Sequence, residues 1–508
     1  MAWFSLTSLV VILWVKLVLI DIHPAVAVGT NLVYNAVMEK LEQIRTWIQQ
    51  KQWPEARAAL IERVRHTPQD AEAWARLATV MTQMEFGATA GRCLARSALL
   101  QPIAGGQLLD LPAADLAWPD RSDNDVEQCL LVPPKTVGAA MIVKDASRTI
   151  AKALTALIPA VDQFVIVDTG STDDTVAIIR SLGIEPLTYE WNDDFAAARN
   201  FALSHVNTDW VLSIDSDEVL WAEDAETVRT VAGLFDSAKG AFALKIIQMN
   251  QISDMISPSL ETRMFPNRRG IRWYRPIHEQ LVHNARTKLP AYPVRIRVLH
   301  DGYDARQTAT EQKYWRNVKI LTQHVKQEPN DAVSHSFLGR EYLMLNQPDQ
   351  AIRHLTLAKE LLAADASTAV NAKMDVERNL ILAYEKKGDL RLALRMAEQM
   401  TEIYPQSVDA WYLRGFYHLS NAVTSLQQAI PALQRTIQLS TQGQHSADPT
   451  IGQFKAMLHL ADVTRLSGNF AEARRLYNQV LNVIPNFSEV HAIIAKMDEQ
   501  TRLIPPQT

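Results

Sequence analysis

Val165-Ile-Val-Asp-Thr-Gly-Ser-Thr-Asp-Asp-Thr175 and, further along, Trp210-Val-Leu-Ser-Ile-Asp-Ser-Asp-Glu218 are two short apolar runs that each break into an acidic turn. Phe164–Val167 is too short for a helix, and Gly170 permits the tight turn that the following polar segment needs. Asp168 therefore stands at the end of a strand, ahead of the turn. Thr172 and Asp173 are placed either to cap the next helix or to contact a ligand. In the second run one residue separates Asp215 from Asp217, so an extended backbone turns both carboxylates to the same side, where they can share a hard cation such as Mg²⁺ or Mn²⁺. Like charges so close would repel without one. Paired acids at strand ends point to a metal-assisted nucleotide site.

Outward from these runs, strand-like and helical stretches alternate. Strands are expected at Val137–Val143, Phe164–Val167, Glu185–Tyr189 and Trp210–Ile214, and helices at Ile150–Ile158, Asp174–Leu182 and Phe195–Ser204. That order implies βαβ units and a mainly parallel sheet covered by helices. Ligands of such sheets bind at the carboxyl ends of the strands, where both acidic turns lie.

On either side the pattern becomes helical and repetitive. Pro68 and Pro102 lie 34 residues apart, with Trp74, Leu77, Ala78, Met81 and Ala90 between them. These offsets resemble a tetratricopeptide helix pair: large residues fill the gap between antiparallel helices, small ones allow close approach, and proline stops the second helix. They return at Leu338, Gly339, Tyr342, Ala351 and Ala358, at Leu380, Tyr384, Gly388-Asp389, Ala393 and Pro405, at Trp411 and Gly415, and at Leu460, Ala461, Gly468, Ala473, Tyr477 and Pro485. About two units before the α/β region and about four after it are expected, with insertions near 363–369 and 440–449. The scattered prolines, glycines and acids of 105–134 read as a linker.

At 508 residues the chain exceeds a single core, and 47% hydrophobic with 21% charged residues is ordinary globular composition. A formal charge of −5 lacks the basic excess of a nucleic-acid binder, so no nucleic-acid partner is expected. Cys93 and Cys129 are too few for a disulfide framework and lack metal-ligand spacing, which suits buried inert thiols.

The N-terminus is an apolar run, Trp3 to Ile20, interrupted at Lys16, with Ala25-Val-Ala27 beyond it. It reads as a minimal membrane anchor, as an extension upstream of an initiator at Met38, or as a signal peptide, the last weakened because no basic residue precedes the run. The expected location is the cytoplasm, with membrane association through residues 3–20 under the anchor reading.

Taken in order, Met141-Ile-Val-Lys-Asp145, Val165–Thr175, Asp194-Phe-Ala-Ala-Ala-Arg-Asn200 and Ile214-Asp-Ser-Asp-Glu218 resemble the motifs of family 2 glycosyltransferases, in the branch joined to tetratricopeptide repeats. The resemblance implies an α/β GT-A fold, Rossmann-like with a mainly parallel sheet, flanked by all-α repeats. The corresponding domains are 1–30 (apolar segment), 31–104 (tetratricopeptide-like helices), 105–134 (linker), 135–305 (GT-A domain) and 306–508 (repeats). It also implies a nucleotide-sugar donor such as a UDP-sugar, a divalent Mn²⁺ or Mg²⁺, inversion at the anomeric carbon, and an acceptor that is protein, lipid or glycan.

Carried over residue by residue, the resemblance puts donor contacts at Val143, Asp168, Asp194, Arg199 and Asp215, and the metal on Asp215, Asp217 and His300. Arg199 can pair with phosphate or with Asp194. Arg263-Met-Phe265 and Trp273-Tyr-Arg-Pro-Ile-His-Glu279 look like the acceptor side, with Glu279 as base, His278 as its neighbour, Asp301 as rival base, and Trp273 as packing or as a sugar platform. The repeats offer a surface for an acceptor protein or another protein partner. A reading of a different class is a repeat scaffold whose glycosyltransferase-like domain is inactive. A nucleotidyltransferase is disfavoured because Met141–Ser147 has Lys144 but no glycine-rich phosphate loop.

Overall fold

The computed structural model describes residues 41–104, 107–108, 121–252, 255–284, 287–300, 311–364, 370–420 and 426–502. These residues fall into two units, Met1–Gln251 with Ile256–Tyr274 and Glu279–Asp304, and Ile252–Met255 with Arg275–His278 and Ala305–Thr508.

In the first unit the apolar runs become strands because alternate residues find a layer of helix on each side. The strands are β1 (Val137–Val143), β2 (Gln163–Asp168), β3 (Leu187–Thr188), β4 (Trp210–Ser213), β5 (Glu218–Leu220), β6 (Ala243–Ile252), β7 (Met255–Pro266), β8 (Ile271–Tyr274), β9 (Gln280–His283) and β10 (Ala291–His300). Along β2, Ile166 enters one core while Val165 and Val167 enter the other, and along β4 Trp210 and Leu212 are separated from Val211 in the same way. The sheet order is β3-β2-β1-β4-β7-β6-β10-β5, with β8 and β9 forming a separate hairpin. The β1 strand pairs parallel with β2 and β4, β2 with β3, and β6 with β10, while β4–β7 and β5–β10 are antiparallel. The sheet is thus mixed and mostly parallel, as expected.

Helices α1 (Trp53–His66), α2 (Ala71–Gln83), α3 (Gly87–Leu100) and α4 (Asn124–Leu130) precede the sheet. Their buried residues, among them Leu60, Trp74, Leu77 and Leu94, belong to the same continuous core as Met141, Ile166 and Val298. The stretch read as a linker includes α4, whose cap residue Asp123 is gripped by both Arg57 Nε and Nη2 at 2.7 Å. This part of the expected linker is therefore packed structure. The sheet is completed by α5 (Ile150–Leu157), α6 (Thr175–Ser181), α7 (Phe195–Ser204) and α8 (Ala225–Leu234).

The second unit is a series of helices: α9 (Glu311–Gln327), α10 (Ala332–Met344), α11 (Pro348–Ala364), α12 (Val370–Lys386), α13 (Leu390–Ile403), α14 (Val408–Ser420), α15 (Leu426–Thr441), α16 (Ala456–Leu466), α17 (Phe470–Val483) and α18 (Ser488–Arg502). The repeat register is written in two devices. A ring nitrogen six residues beyond a proline donates to that proline's carbonyl at Pro329/His335, Pro405/Trp411 and Pro485/His491, as Trp74 does to Pro68 in the first unit, all within 2.8–3.1 Å. The turn inside a helix pair is left-handed, at Asn346 (φ 55°), Gly388 (φ 89°) and Gly468 (φ 84°), and at Glu85 (φ 64°) in the first unit.

The expected location does not survive as stated. Among the described residues no helix is long and apolar enough to cross a membrane, and the apolar run of residues 3–20 lies outside the described residues.

Candidate active site

Three strand ends meet at one edge of the sheet. Val143 lies opposite Asp168 in the β1–β2 register, and Ser213 opposite Ala140 places Asp215 just past the end of β4. Further across the sheet, His300 at the end of β10 is in register with both Asn250 of β6 and Glu218 of β5.

The first acidic turn is a self-contained lock. The Asp168 carboxylate accepts the backbone N–H groups of Gly170 and Ser171 at 3.2 Å, and Val143 O accepts both N–H and Oγ1 of Thr169 at 3.0 Å. Asp145 takes the Thr172 N–H at 2.7 Å, and Asp173 takes the Ser147 N–H at 3.1 Å and the Thr175 N–H at 3.0 Å. Hydrogen bonds from the side chains of Thr175 and Ser147 hold Asp173 well below the usual carboxylate range. Asp173 and Asp145 therefore tie the β2 turn to the loop after β1. Asp194 is the N-cap of α7, accepting Ala197 N–H at 2.8 Å.

The second acidic turn is organised by two arginines, Arg199 buried and Arg263 partly buried. Arg199 donates from Nε to Glu279 Oε1 and from Nη2 to Asp215 Oδ1, both at 2.6 Å, and from Nη1 to Ser213 Oγ at 3.3 Å, with its guanidinium 5.1 Å from the centre of the Trp273 ring. The pairing with Asp194 is thus not the one formed. Arg263 Nη2 donates to Asp215 Oδ2 at 2.5 Å and to Glu218 Oε1 at 2.9 Å. Glu218 also receives the Asp215 N–H and the Gln248 amide, both at 2.8 Å.

Burial works against ionisation of Asp215, but the two guanidiniums outweigh it and hold the carboxyl well below its ordinary value. Burial likewise opposes the charge of Arg199 and Arg263, and the facing carboxylates, Asp215 first, reverse the effect and raise both. For Glu218 burial wins and pushes its carboxyl up.

Asp217 faces the other way. Its Oδ2 is 3.4 Å from His300 Nε2, and the hydrogen bond to Asp217 raises the imidazole above 6.5 against the effect of burial. His300 Nδ1 is 3.1 Å from Asn250 Oδ1, and Asn250 Nδ2 in turn reaches Ser259 Oγ at 3.0 Å and Ser257 O at 3.3 Å. Asn250 thus directs the Nδ1 proton to itself and turns Nε2 toward Asp217. The 3.4 Å gap is close to the ~3 Å between neighbouring ligands at ~2.1 Å on one octahedral ion.

The expected metal set of Asp215, Asp217 and His300 is not assembled. Asp215 is engaged by the arginines, and among the described residues no group of three or more His, Cys, Asp or Glu side chains is gathered for an ion. Asp301 lies outside the described residues.

On the acceptor side two expectations change. His278, with φ 52°, belongs to the second unit, where Nε2 is 2.8 Å from Glu341 Oε1 and the ring stacks on Phe337 at 4.1 Å. It is a hydrogen-bonded, packed histidine there, not a neighbour that positions Glu279. Trp273 is buried, and Asn200 clamps its backbone N–H and C=O at 2.9 Å each, so it is packing and not a sugar platform. Arg263, Glu218, Asn250 and Ser213 carry no assigned role in the sequence pattern; Arg263 is signalled by the Arg263-Met-Phe265 motif and Ser213 and Glu218 by their place in the run Trp210–Glu218, while Asn250 has no such signal.

Residues 139–244 match the model of glycosyl transferase family 2. They form a family 2 glycosyltransferase domain. The chain is 26% identical over 313 residues to the SPbeta prophage-derived glycosyltransferase SunS of Bacillus subtilis, covering 58% of this chain and 70% of that protein. It is 29% identical over 267 residues to a TPR repeat-containing protein of Synechococcus elongatus, covering 51% and 64%. Among solved structures it is similar to MamA, at 17% identity, a TM-score of 0.28, and coverage of 35% of this chain and 94% of that one.

Proposed function

We propose that this protein is an inverting glycosyltransferase that moves a sugar from a nucleotide donor, such as a UDP-sugar, to a protein, lipid or glycan acceptor. The observation that carries the reading is the row of strand ends: a locked turn at Asp168 beside Val143, and the facing pair Asp217 and His300 on the same sheet edge. The nucleoside would lie over Val143 and the Asp168 turn, whose backbone is held by its own hydrogen bonds. Asp217 and His300 would hold Mn²⁺ or Mg²⁺, which when bound neutralises charge building on the departing diphosphate. Glu279 would take the acceptor proton as the acceptor attacks from the face opposite the leaving group. Asp215 would serve the donor side by holding Arg199 and Arg263 in place. The helical repeats of the second unit would recruit an acceptor protein or an assembly partner through a surface of the kind stacked repeats present.

The test is a thermal-shift panel of UDP- and GDP-sugars with Mn²⁺ or with EDTA. A ligand that binds only the native state raises its melting temperature, by about 2.7 kcal/mol of stability at a hundredfold excess over Kd. The expected outcome is a shift for one class of nucleotide sugar that EDTA removes. No shift with any donor would favour a repeat scaffold bearing an inactive domain.

A further inference from the structure

Helix α7 is placed close to the sheet by small buried residues, Ala196, Ala198 and Ala202, so the two longer side chains between them, Arg199 and Asn200, reach past the helix into the domain. Asn200 fixes the backbone of Trp273 at the end of β8, and Arg199 lies over the Trp273 ring. Each of the three nitrogens of the Arg199 fork has its own acceptor: Nε on Glu279, Nη2 on Asp215, Nη1 on Ser213. Asp215 and Ser213 bracket the end of β4, on the donor side of the proposed site. Glu279 comes from beyond the β8 turn, 80 residues away in sequence.

Resting on the transferase reading above, we propose that Arg199 is a positioning residue that couples the acceptor carboxylate Glu279 to the donor-side turn at Asp215, and that it does so by the geometry of its fork and not by binding the donor phosphates. Three features support this. The guanidinium is buried and its fork is directed at protein acceptors. The Trp273 ring lies 5.1 Å from the guanidinium and packs against it. Arg263 supplies a second cation to Asp215, so a change at Arg199 leaves that carboxylate with one partner while Glu279 loses the one it is shown to have.

Because a lysine keeps the charge but offers a point in place of a planar fork, Arg199→Lys separates the two roles. Turnover is measured with the nucleotide sugar that the wild-type protein consumes fastest, and donor-side affinity with UDP plus Mn²⁺ as the probe. Arg199→Lys should lower kcat by ~10²-fold, the order of loss for a reacting group displaced by about an ångström, with UDP affinity within threefold of wild type. Glu279→Gln should show the same split. The double variant should be no slower than the slower single variant, within threefold, because both changes break one unit.

An Arg199→Lys protein with kcat within tenfold of wild type, losses that multiply in the double variant, or UDP affinity that falls in step with kcat would each overturn the proposal. Ser213→Ala, which removes only the acceptor of Nη1, covers the case in which Arg199→Lys does not fold. It should lower kcat more than threefold at unchanged UDP affinity, and an unchanged kcat would overturn the proposal. A wild-type protein that releases no nucleoside diphosphate from any sugar of the panel would instead refute the transferase reading itself.

Discussion

The two carboxylates of Asp215-Ser-Asp217 should respond in opposite ways to the same small change, Asp→Asn. Asp215 accepts from Arg199 and Arg263 through its two oxygens, and its side chain is 30% exposed. Removing one partner from a buried ion pair costs about 3–5 kcal/mol, because the other charge stays buried and unpaired. Three considerations reduce that figure here: asparagine keeps one acceptor oxygen, Glu279 and Glu218 still face the two arginines, and solvent reaches part of the side chain. A loss of about 2 kcal/mol remains, which for a domain of 150–250 residues lowers the melting temperature by roughly 4–8 °C.

Asp217, 35% exposed, has its ion-pair contact at 3.4 Å with His300, and a pair of that kind contributes about 0–1 kcal/mol. Asp217→Asn should therefore melt within about 4 °C of wild type, on the same size scaling, while losing any stabilisation by Mn²⁺. Asp215→Asn should melt lower and still respond to Mn²⁺. The assay is differential scanning fluorimetry at fixed pH, with and without Mn²⁺. Equal melting temperatures for the two variants, or loss of the Mn²⁺ response in Asp215→Asn alone, would refute this division of labour.

Two further predictions concern the second unit. His354, whose Nδ1 is 3.0 Å from His335 Nδ1, is held down to about 4 by burial, with His335 and Arg353 adding to the effect. The unfolded chain therefore binds a proton before the folded one does: the contribution is complete above the ordinary 6.5, and stability falls as pH drops toward 4. Urea midpoints measured across that range should decline with falling pH, and His354→Gln should flatten the decline. Gly339→Ala tests helix pairing, since an added Cβ would lie 2.5 Å from Leu355 Cγ and 3.2 Å from Ala351 O. Overpacking there should cost about 1–3 kcal/mol in urea unfolding, with the cost seen in the midpoint and not in the slope, and an unchanged midpoint would show that Leu355 moves aside freely.

The fold was legible wherever a local pattern specifies an element. The run Val137–Val143 is a strand with those limits, and Phe195–Ser204 is a helix with those limits, because each is bounded by turn or cap residues, Asp194 in the second case. The repeat positions were legible because each carries a mechanical task that few residues perform, such as the left-handed turns at Gly388 and Gly468 and the carbonyls of Pro405 and Pro485. The antiparallel part of the sheet was not legible. Nothing local to Met255–Pro266 says that it lies between β4 and β6, since that order is decided by packing across the sheet.

The same limit explains which half of the site could be read. Asp168, Asp215 and Asp217 sit at ends of strands whose positions the sequence pattern shows, so their placement on one edge follows. Their partners come from strands whose order it does not show: Arg263 from β7, Asn250 from β6, Glu279 from beyond β8. Adjacency in sequence even misleads, as with His278 and Glu279. Arg275, at φ 77°, and His278, at φ 52°, bend the chain so that Arg275 pairs with Asp331 and His278 with Glu341, while Glu279 stays with Arg199. An Arg-Pro-Ile-His segment between two short strands carries a turn signal in its proline, and a turn sends consecutive side chains apart. A pair of polar neighbours that straddles such a turn is therefore better read as two residues with separate partners than as one catalytic couple.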